Sequence, residues 1–155
     1  MTGKMDQCVI ASPLGALVIQ ADAQGVTALY RDRDAALSAP VSPLLRLCSR
    51  QLEEYFAGVR REFDIPLHLE GTPFQLACWQ ALLSIPYGET RTYAQQAAMV
   101  GKPRAARAVG GANHVNPVCL IVPCHRVIGA GGSLTGYGAG LDMKEWLLRH
   151  ERAHA

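Results

Sequence analysis

Between residues 7 and 31 apolar and polar positions alternate, interrupted by two turn signals, Ser12-Pro13-Leu14-Gly15 and Asp22-Ala23-Gln24-Gly25. A period of two sends successive side chains to opposite faces, so this stretch predicts a short antiparallel meander. The period then lengthens. Ser42-Pro43 has the form of a helix start, with Ser as N-cap and Pro in the first turn. Leu44, Cys48, Leu52 and Tyr55 or Phe56 follow at helical spacing, and Gly58 ends the element. A strand-like piece at 63–69 completes an N-terminal lobe.

Thr72-Pro73-Phe74-Gln75 opens a second lobe with a capping box, in which the Thr and Gln side chains each satisfy a backbone N–H. That helix runs through Trp79, Leu82 and Leu83 to a stop at Ile85-Pro86. Thr92-Tyr93-Ala94-Gln95 repeats the box for a short helix closed by Gly101, and Lys102-Pro103 opens another that extends to about Ala112. Two short helices across a tight glycine turn predict a helix-turn-helix. The second contains Ala105, Ala106, Ala108, Gly110, Gly111 and Ala112, with Arg104 and Arg107 as its only large polar side chains. Small residues let a backbone approach closely, either to a core helix or to DNA. The apolar run 118–122 predicts a short buried strand that Pro123 ends. The expected fold is α/β of the α+β kind. A scaffold lobe over 1–70 holds an antiparallel sheet and helices, and a mostly helical lobe over 71–155 carries the helix-turn-helix.

Hydrophobic residues make up 49% of the chain and charged residues 18%, which excludes a disordered protein. No apolar run approaches the roughly 20 residues of a membrane span. The N-terminal Met-Thr-Gly-Lys-Met-Asp lacks the form of a signal peptide, so a cytoplasmic protein with no membrane partner is expected. The five cysteines, Cys8, Cys48, Cys78, Cys119 and Cys124, include no Cys-x-x-Cys pair. That argues against a disulfide framework and the usual zinc spacings. The first four lie in apolar patterns and are expected to be buried and inert. Charge is uneven: residues 1–89 hold 7 basic and 10 acidic side chains, and residues 90–155 hold 8 and 3. No Asp or Glu occurs from Thr90 to Leu141, a window that holds Arg91, Lys102, Arg104, Arg107 and Arg126. An acid-free basic stretch suits a phosphate-facing surface.

Chemistry enters at Pro123-Cys124-His125-Arg126-Val127. A thiolate is the reactive form of cysteine, and a nearby base raises its population. Adjacent residues rarely point at each other, so the dipeptide alone decides nothing. Its surroundings do. The run from Asn116-Pro117 through Pro123-Cys124-His125-Arg126-Val127-Ile128-Gly129 closely resembles the active-site signature of the O6-alkylguanine-DNA alkyltransferases, the methylated-DNA–protein-cysteine methyltransferases. Tyr87-Gly88-Glu89-Thr90-x-x-Tyr93, Ala106-Arg107-Ala108-Val109-Gly110-Gly111-Ala112, Gly136-Tyr137 and Lys144-Glu145-Trp146-Leu147-Leu148-x-x-Glu151 match the same family in order and spacing. The resemblance covers residues 72–151 closely and the N-terminal lobe more loosely.

The resemblance implies direct-reversal DNA repair. An alkyl group on O6 of guanine, and also on O4 of thymine, would pass irreversibly to Cys124. His125 would take the thiol proton through a water, Glu151 would hold the imidazole, and Asn116 would brace the cysteine loop. The nucleotide would have to leave the duplex. The helix with Ala105, Ala106 and Gly110 would enter the minor groove, and Arg107 would fill the vacated place. Tyr93 would crowd the 3′ phosphate and donate to the flipped base. Tyr137 would line the guanine pocket, with backbone groups of Cys124, Val127 and Gly138 reading the base edge. Some relatives carry an N-terminal zinc site. Here only Cys8, His68 and the helical Cys48 are soft ligands before Thr72, so no metal and no cofactor are expected. The expected partner is double-stranded DNA containing the lesion, met by a monomer of the single-domain repair form. Two other classes compete: an alkyltransferase-like lesion binder, which lacks the acceptor cysteine, and a Cys-His hydrolase, which would turn over.

Overall fold

A three-stranded meander and one capped helix are the regular elements of the N-terminal unit in this computed structural model, which describes residues 5–134, 137 and 140–155. The chain divides into two compact units at Glu70/Gly71. In the first, β1 (Asp6–Ile10), β2 (Leu17–Ala21) and β3 (Val26–Arg31) form an antiparallel sheet in that order. The register sets Cys8 opposite Ile19 and Ile19 opposite Leu29, and all three are buried. The second turn is held by Asp22, whose Oδ1 accepts the N–H groups of Gln24 and Gly25 at 2.9 and 3.1 Å, as expected of Asx chemistry.

α1 (Pro43–Phe56) is capped by Ser42, whose Oγ accepts the Leu45 N–H at 3.1 Å. It ends in a Schellman motif at Gly58 (φ +79), with bonds from Gly58 N–H to Tyr55 O and from Val59 N–H to Glu54 O. Its buried line is Leu45, Cys48, Leu52 and Tyr55. Leu44, expected to lead that stripe, is half-buried, because it sits about 100° around the axis from Leu45. The strand expected at 63–69 reduces to one parallel bridge, Val26 to Leu67. Pro66 has no N–H to donate, and a ladder cannot continue through it. His68 then ties this segment to the turn, its Nδ1 2.6 Å from Asp22 Oδ2. The hydrogen bond from His68 holds the Asp22 carboxyl below its ordinary range.

The second unit contains α2 (Pro73–Leu83), β4 (Arg91–Thr92), α3 (Tyr93–Met99), α4 (Ala106–His114), β5 (Val127–Ile128) and α5 (Leu141–Ala153). Both capping boxes form, Thr72 with Gln75 and Thr92 with Gln95. α3 ends in a second Schellman motif at Gly101 (φ +75), with Gly101 N–H on Ala98 O and Lys102 N–H on Ala97 O. α4 starts three residues later than its Lys102-Pro103 signal suggested. The Ala105 N–H closes a turn on Lys102 O at 2.9 Å, Ala105 is non-helical (φ −97°, ψ 27°), and no side chain caps an earlier start. At its other end α4 passes Ala112 and reaches His114. Between α2, α3 and α4 lies a core of Cys78, Ala97, Val109 and Ala112, with Phe74, Tyr93 and Val100 packed against it.

The buried strand expected at 118–122 is a pair of tight turns. Ile121 N–H bonds to Cys119 O across Leu120, whose φ of +76° is the one left-handed non-glycine backbone among the described residues. Val122 N–H reaches back to Val118 O at 3.0 Å. Apolar character correctly signalled burial, but with no neighbouring strand edge to pair with, the run satisfies its backbone on itself.

Candidate active site

Pro123 shapes the loop that carries the thiol. Its backbone (φ −82°, ψ 64°) is that of an inverse γ-turn, and the Cys124 N–H bonds to Val122 O at 2.8 Å. One turn of 3-10 helix, Cys124–Arg126, follows, with Arg126 N–H on Pro123 O and Val127 N–H on Cys124 O. That tight turn aims three consecutive side chains into buried space: Cys124, His125 and Arg126 are all under 10% exposed. Asn116 braces the loop from upstream. Its Nδ2 donates to Val122 O at 2.8 Å, and its Oδ1 accepts the Val118 N–H at 3.0 Å. Downstream, β5 pairs in parallel with β4, Val127 opposite Arg91 and Ile128 opposite Thr92. The pairing joins the reactive loop to the start of α3.

Glu151, near the end of α5, anchors the site. Its carboxylate is 1% exposed and receives His125 Nε2 at 2.7 Å, Arg126 Nε at 2.8 Å, Arg126 Nη2 at 3.0 Å and the Gly88 N–H at 3.2 Å. Arg126 spends a further donor on Ile85 O at 2.7 Å. Burial alone would raise the Glu151 pKa, but the hydrogen bonds and charges of His125 and Arg126 hold it well below the usual carboxylate range. Burial pushes the His125 imidazole below its ordinary value of 6.5 against the opposing pull of Glu151. The pair is therefore an ionised carboxylate and a neutral imidazole. His125 Nδ1 is buried and bonds to no protein group.

Lys144, one turn into α5, is also fully buried. Its Nζ donates to Val127 O at 2.6 Å and lies 5.7 Å from the Tyr93 ring and 5.9 Å from the Tyr137 ring. Burial lowers its pKa, while the nearby Cys124 opposes that shift. Burial raises the Cys124 thiol, and a hydrogen bond from Asn116, the charge of Lys144 and a hydrogen bond with Tyr137 pull it back. A resting thiol can surrender its proton to a neutral, oriented imidazole during reaction, and a buried cation favours the thiolate so formed.

Two family models cover nearly the whole chain: "6-O-methylguanine DNA methyltransferase, ribonuclease-like domain" over residues 7–69 and "6-O-methylguanine DNA methyltransferase, DNA binding domain" over residues 73–153. The chain belongs to this family. A methylated-DNA–protein-cysteine methyltransferase of Methanosarcina acetivorans is 48% identical over 153 residues, 95% of this chain and 98% of the relative. The constitutive one of Bacillus subtilis is 45% identical over 91% of this chain and 92% of its own. The crystal structure of Mycobacterium tuberculosis O6-methylguanine methyltransferase superposes with a TM-score of 0.88 at 45% identity, covering 98% of this chain and 95% of that one. The Mycobacterium tuberculosis protein in complex with DNA gives 0.86 at 47% identity over 95% and 92%. Family membership fixes the activity. The protein is a methylated-DNA–protein-cysteine methyltransferase that repairs DNA by direct reversal, and the lesion-binder alternative is not favoured.

The structure brings Cys124, His125, Glu151, Asn116, Val127, Tyr93 and Tyr137 into one neighbourhood. Gly138 lies outside the described residues. Arg107 is exposed on α4, away from that network, with Ala108 and Gly111 on the same open side. Ala105 and Ala106 are half-buried at the start of the helix. Gly110 is turned inward, and a Cβ there would sit 3.7 Å from the Tyr93 ring. A Cβ on Gly111 would meet nothing within 4 Å. Sequence reasoning assigned no roles to Lys144 or Gly88, and it counted Arg126 in a phosphate-facing basic window, whereas Arg126 is buried and paired with Glu151. A signal for Lys144 existed: it lies seven residues before Glu151, on the helix face of Leu147, Leu148 and Glu151. Gly88 left a weaker one. Its φ of +80° delivers its N–H to Glu151, and a Cβ there would come within 3.1 Å of Ala155. For Arg126, adjacency to His125 gave no hint of a shared carboxylate.

Proposed function

We propose that Cys124 is the alkyl acceptor for O6-alkylguanine, and for O4-alkylthymine, in double-stranded DNA. Sulfur attacks the alkyl carbon; the C–S bond forms, the C–O bond breaks, and its electron pair goes to the base. The thiol proton passes through a water to His125 Nδ1, while His125 Nε2–H remains on Glu151. The carboxylate stabilises the imidazolium and fixes the tautomer. The departing base takes up a proton from a donor at its edge, the part of Tyr93, with Lys144 close behind it. The exchange is redox-neutral and, apart from the relaying water, uses only side chains of this chain. The thioether has no carbonyl for water to attack, so the protein acts once.

On the DNA side, the exposed face of α4 enters the minor groove and Arg107 occupies the place of the flipped nucleotide. Tyr93 meets the 3′ phosphate, and Tyr137, Gly138 and Val127 line the base pocket. The protein acts in the cytoplasm as a monomer. The carrying observation is the 2.7 Å bond from a wholly buried His125 to Glu151, with the opposite ring nitrogen left for the thiol side. Mass spectrometry after incubation with excess O6-benzylguanine tests the reading. One persistent benzyl adduct mapping to Cys124, lost in Cys124→Ala, is expected. Adduct on Cys119 or Cys78 overturns the assignment. No adduct favours a lesion binder, and free product in excess of protein favours a hydrolase.

A further inference from the structure

The core between α3 and α4 is made of small or smooth side chains, which attract without fixing a register. A directional contact crosses it. Gln96 is fully buried and Asn113 nearly so, and their amides bond reciprocally: Gln96 Nε2 to Asn113 Oδ1 at 3.0 Å and Asn113 Nδ2 to Gln96 Oε1 at 2.7 Å. Gln96 Nε2 spends its second proton on Cys78 O at 3.1 Å, which ties α2 to the same point. Both Gln96 donors are therefore used, and each amide carbonyl is paired.

The position of this clasp gives it meaning. Gln96 lies one turn after Tyr93 on α3, and Asn113 lies one turn after Gly110 on α4. Tyr93 rests over Gly110. Two crossings a turn apart, one aromatic on glycine and one amide on amide, fix both the slide and the rotation of α4 against α3. Arg107 is a turn before Gly110, so the clasp also decides where Arg107 stands relative to Tyr93.

We infer that Gln96 and Asn113 are positioning residues for DNA repair: their amide clasp sets the register in which Tyr93 and Arg107 meet the duplex together. A buried polar pair of this kind contributes specificity of arrangement more than stability. The inference rests on the reading that Tyr93 and Arg107 engage DNA.

The test compares alkylation rates on duplex O6-methylguanine and on free O6-benzylguanine, which has no stack to leave. In Gln96→Leu/Asn113→Leu the melting temperature is expected to equal or exceed that of wild type. The duplex-to-free rate ratio should fall at least tenfold, and duplex affinity should fall with it. Should the double variant fail to fold, Gln96→Met alone is measured the same way. A folded variant with an unchanged ratio overturns the inference, as does an equal loss on both substrates. Arg107→Ala is the control. A changed ratio for Arg107→Ala with an unchanged one for the clasp variant defeats the clasp alone, and an unchanged ratio for Arg107→Ala defeats the DNA reading and the clasp with it.

Discussion

Glu151 shows how much one side chain is asked to do. It orients His125, and it neutralises an Arg126 that would otherwise be a buried, uncompensated cation. Glu151→Gln should therefore fail in two separable ways. Alkylation should slow by a factor of order 10²–10⁴, the usual worth of a positioned acid–base group. Stability should drop by about 3–5 kcal/mol as a buried ion pair loses one partner. A denaturant melt and a single-turnover rate measure the two losses, and raising pH should restore part of the rate alone by ionising the thiol directly. Arg126→Gln gives a different signature. The Arg126 charge helps to hold His125 below its ordinary value, so its removal should raise the imidazole pKa. Protonated His125 cannot accept the thiol proton, and the acid limb of the rate profile should move to higher pH. A limb that stays in place would reduce Arg126 to a strut.

At the scale of elements, α4 divides its small residues between two tasks. Val109 and Ala112 are buried and Gly110 faces Tyr93, whereas Arg107, Ala108 and Gly111 face outward. Gly111 has no packing need to be glycine, and a glycine inside a helix costs roughly 0.5–1 kcal/mol relative to alanine. Gly111→Leu should leave the melting temperature unchanged or raised while weakening duplex binding at least tenfold, because bulk there blocks close approach to DNA. Undiminished binding would place DNA elsewhere. Arg107→Ala should slow duplex repair by about 10- to 1,000-fold, since unstacking and unpairing cost a few kcal/mol and each 1.4 kcal/mol is about tenfold. Its loss on free O6-benzylguanine should be far smaller.

For the whole molecule, pH and salt report on different halves of the design. His125 is held below 6.5 and Glu151 below 4.5, so below each of those values the unfolded chain binds a proton that the folded chain refuses. Stability should be fully present above about 6.5 and fall in two steps as pH drops, and His125→Gln should lack the upper step. Chemical denaturation between pH 8 and 2 checks the sign of both steps. Duplex affinity should show little sequence preference, since the exposed face of α4 made by Arg107, Ala108 and Gly111 carries Arg107 as its one large polar side chain. It should fall steeply with salt, with a log–log slope near −0.9 for each phosphate neutralised. A flat salt response would remove the acid-free window from the argument.

The sequence by itself determined the meander, the three side-chain caps and both glycine helix ends, because each depends on residues within a few positions of one another. It also pointed to Cys124 as the acceptor that the adduct mapping would test, since an ordered set of motifs runs along the chain. Local signals misplaced Leu44, the start of α4, the strand at 63–69 and the strand at 118–122. In the two strand cases a partner edge decides whether an apolar run forms a ladder, and partner edges are not written locally. The contacts of Arg126, Lys144 and the Gln96–Asn113 pair appear only in three dimensions. A charge or side-chain amide becomes a site component when folding buries it beside a partner 17 to 41 positions away, as in Lys144 with Val127 or Arg126 with Ile85. Burial then makes that partner obligatory, because an unpaired polar group removed from water is too costly to keep.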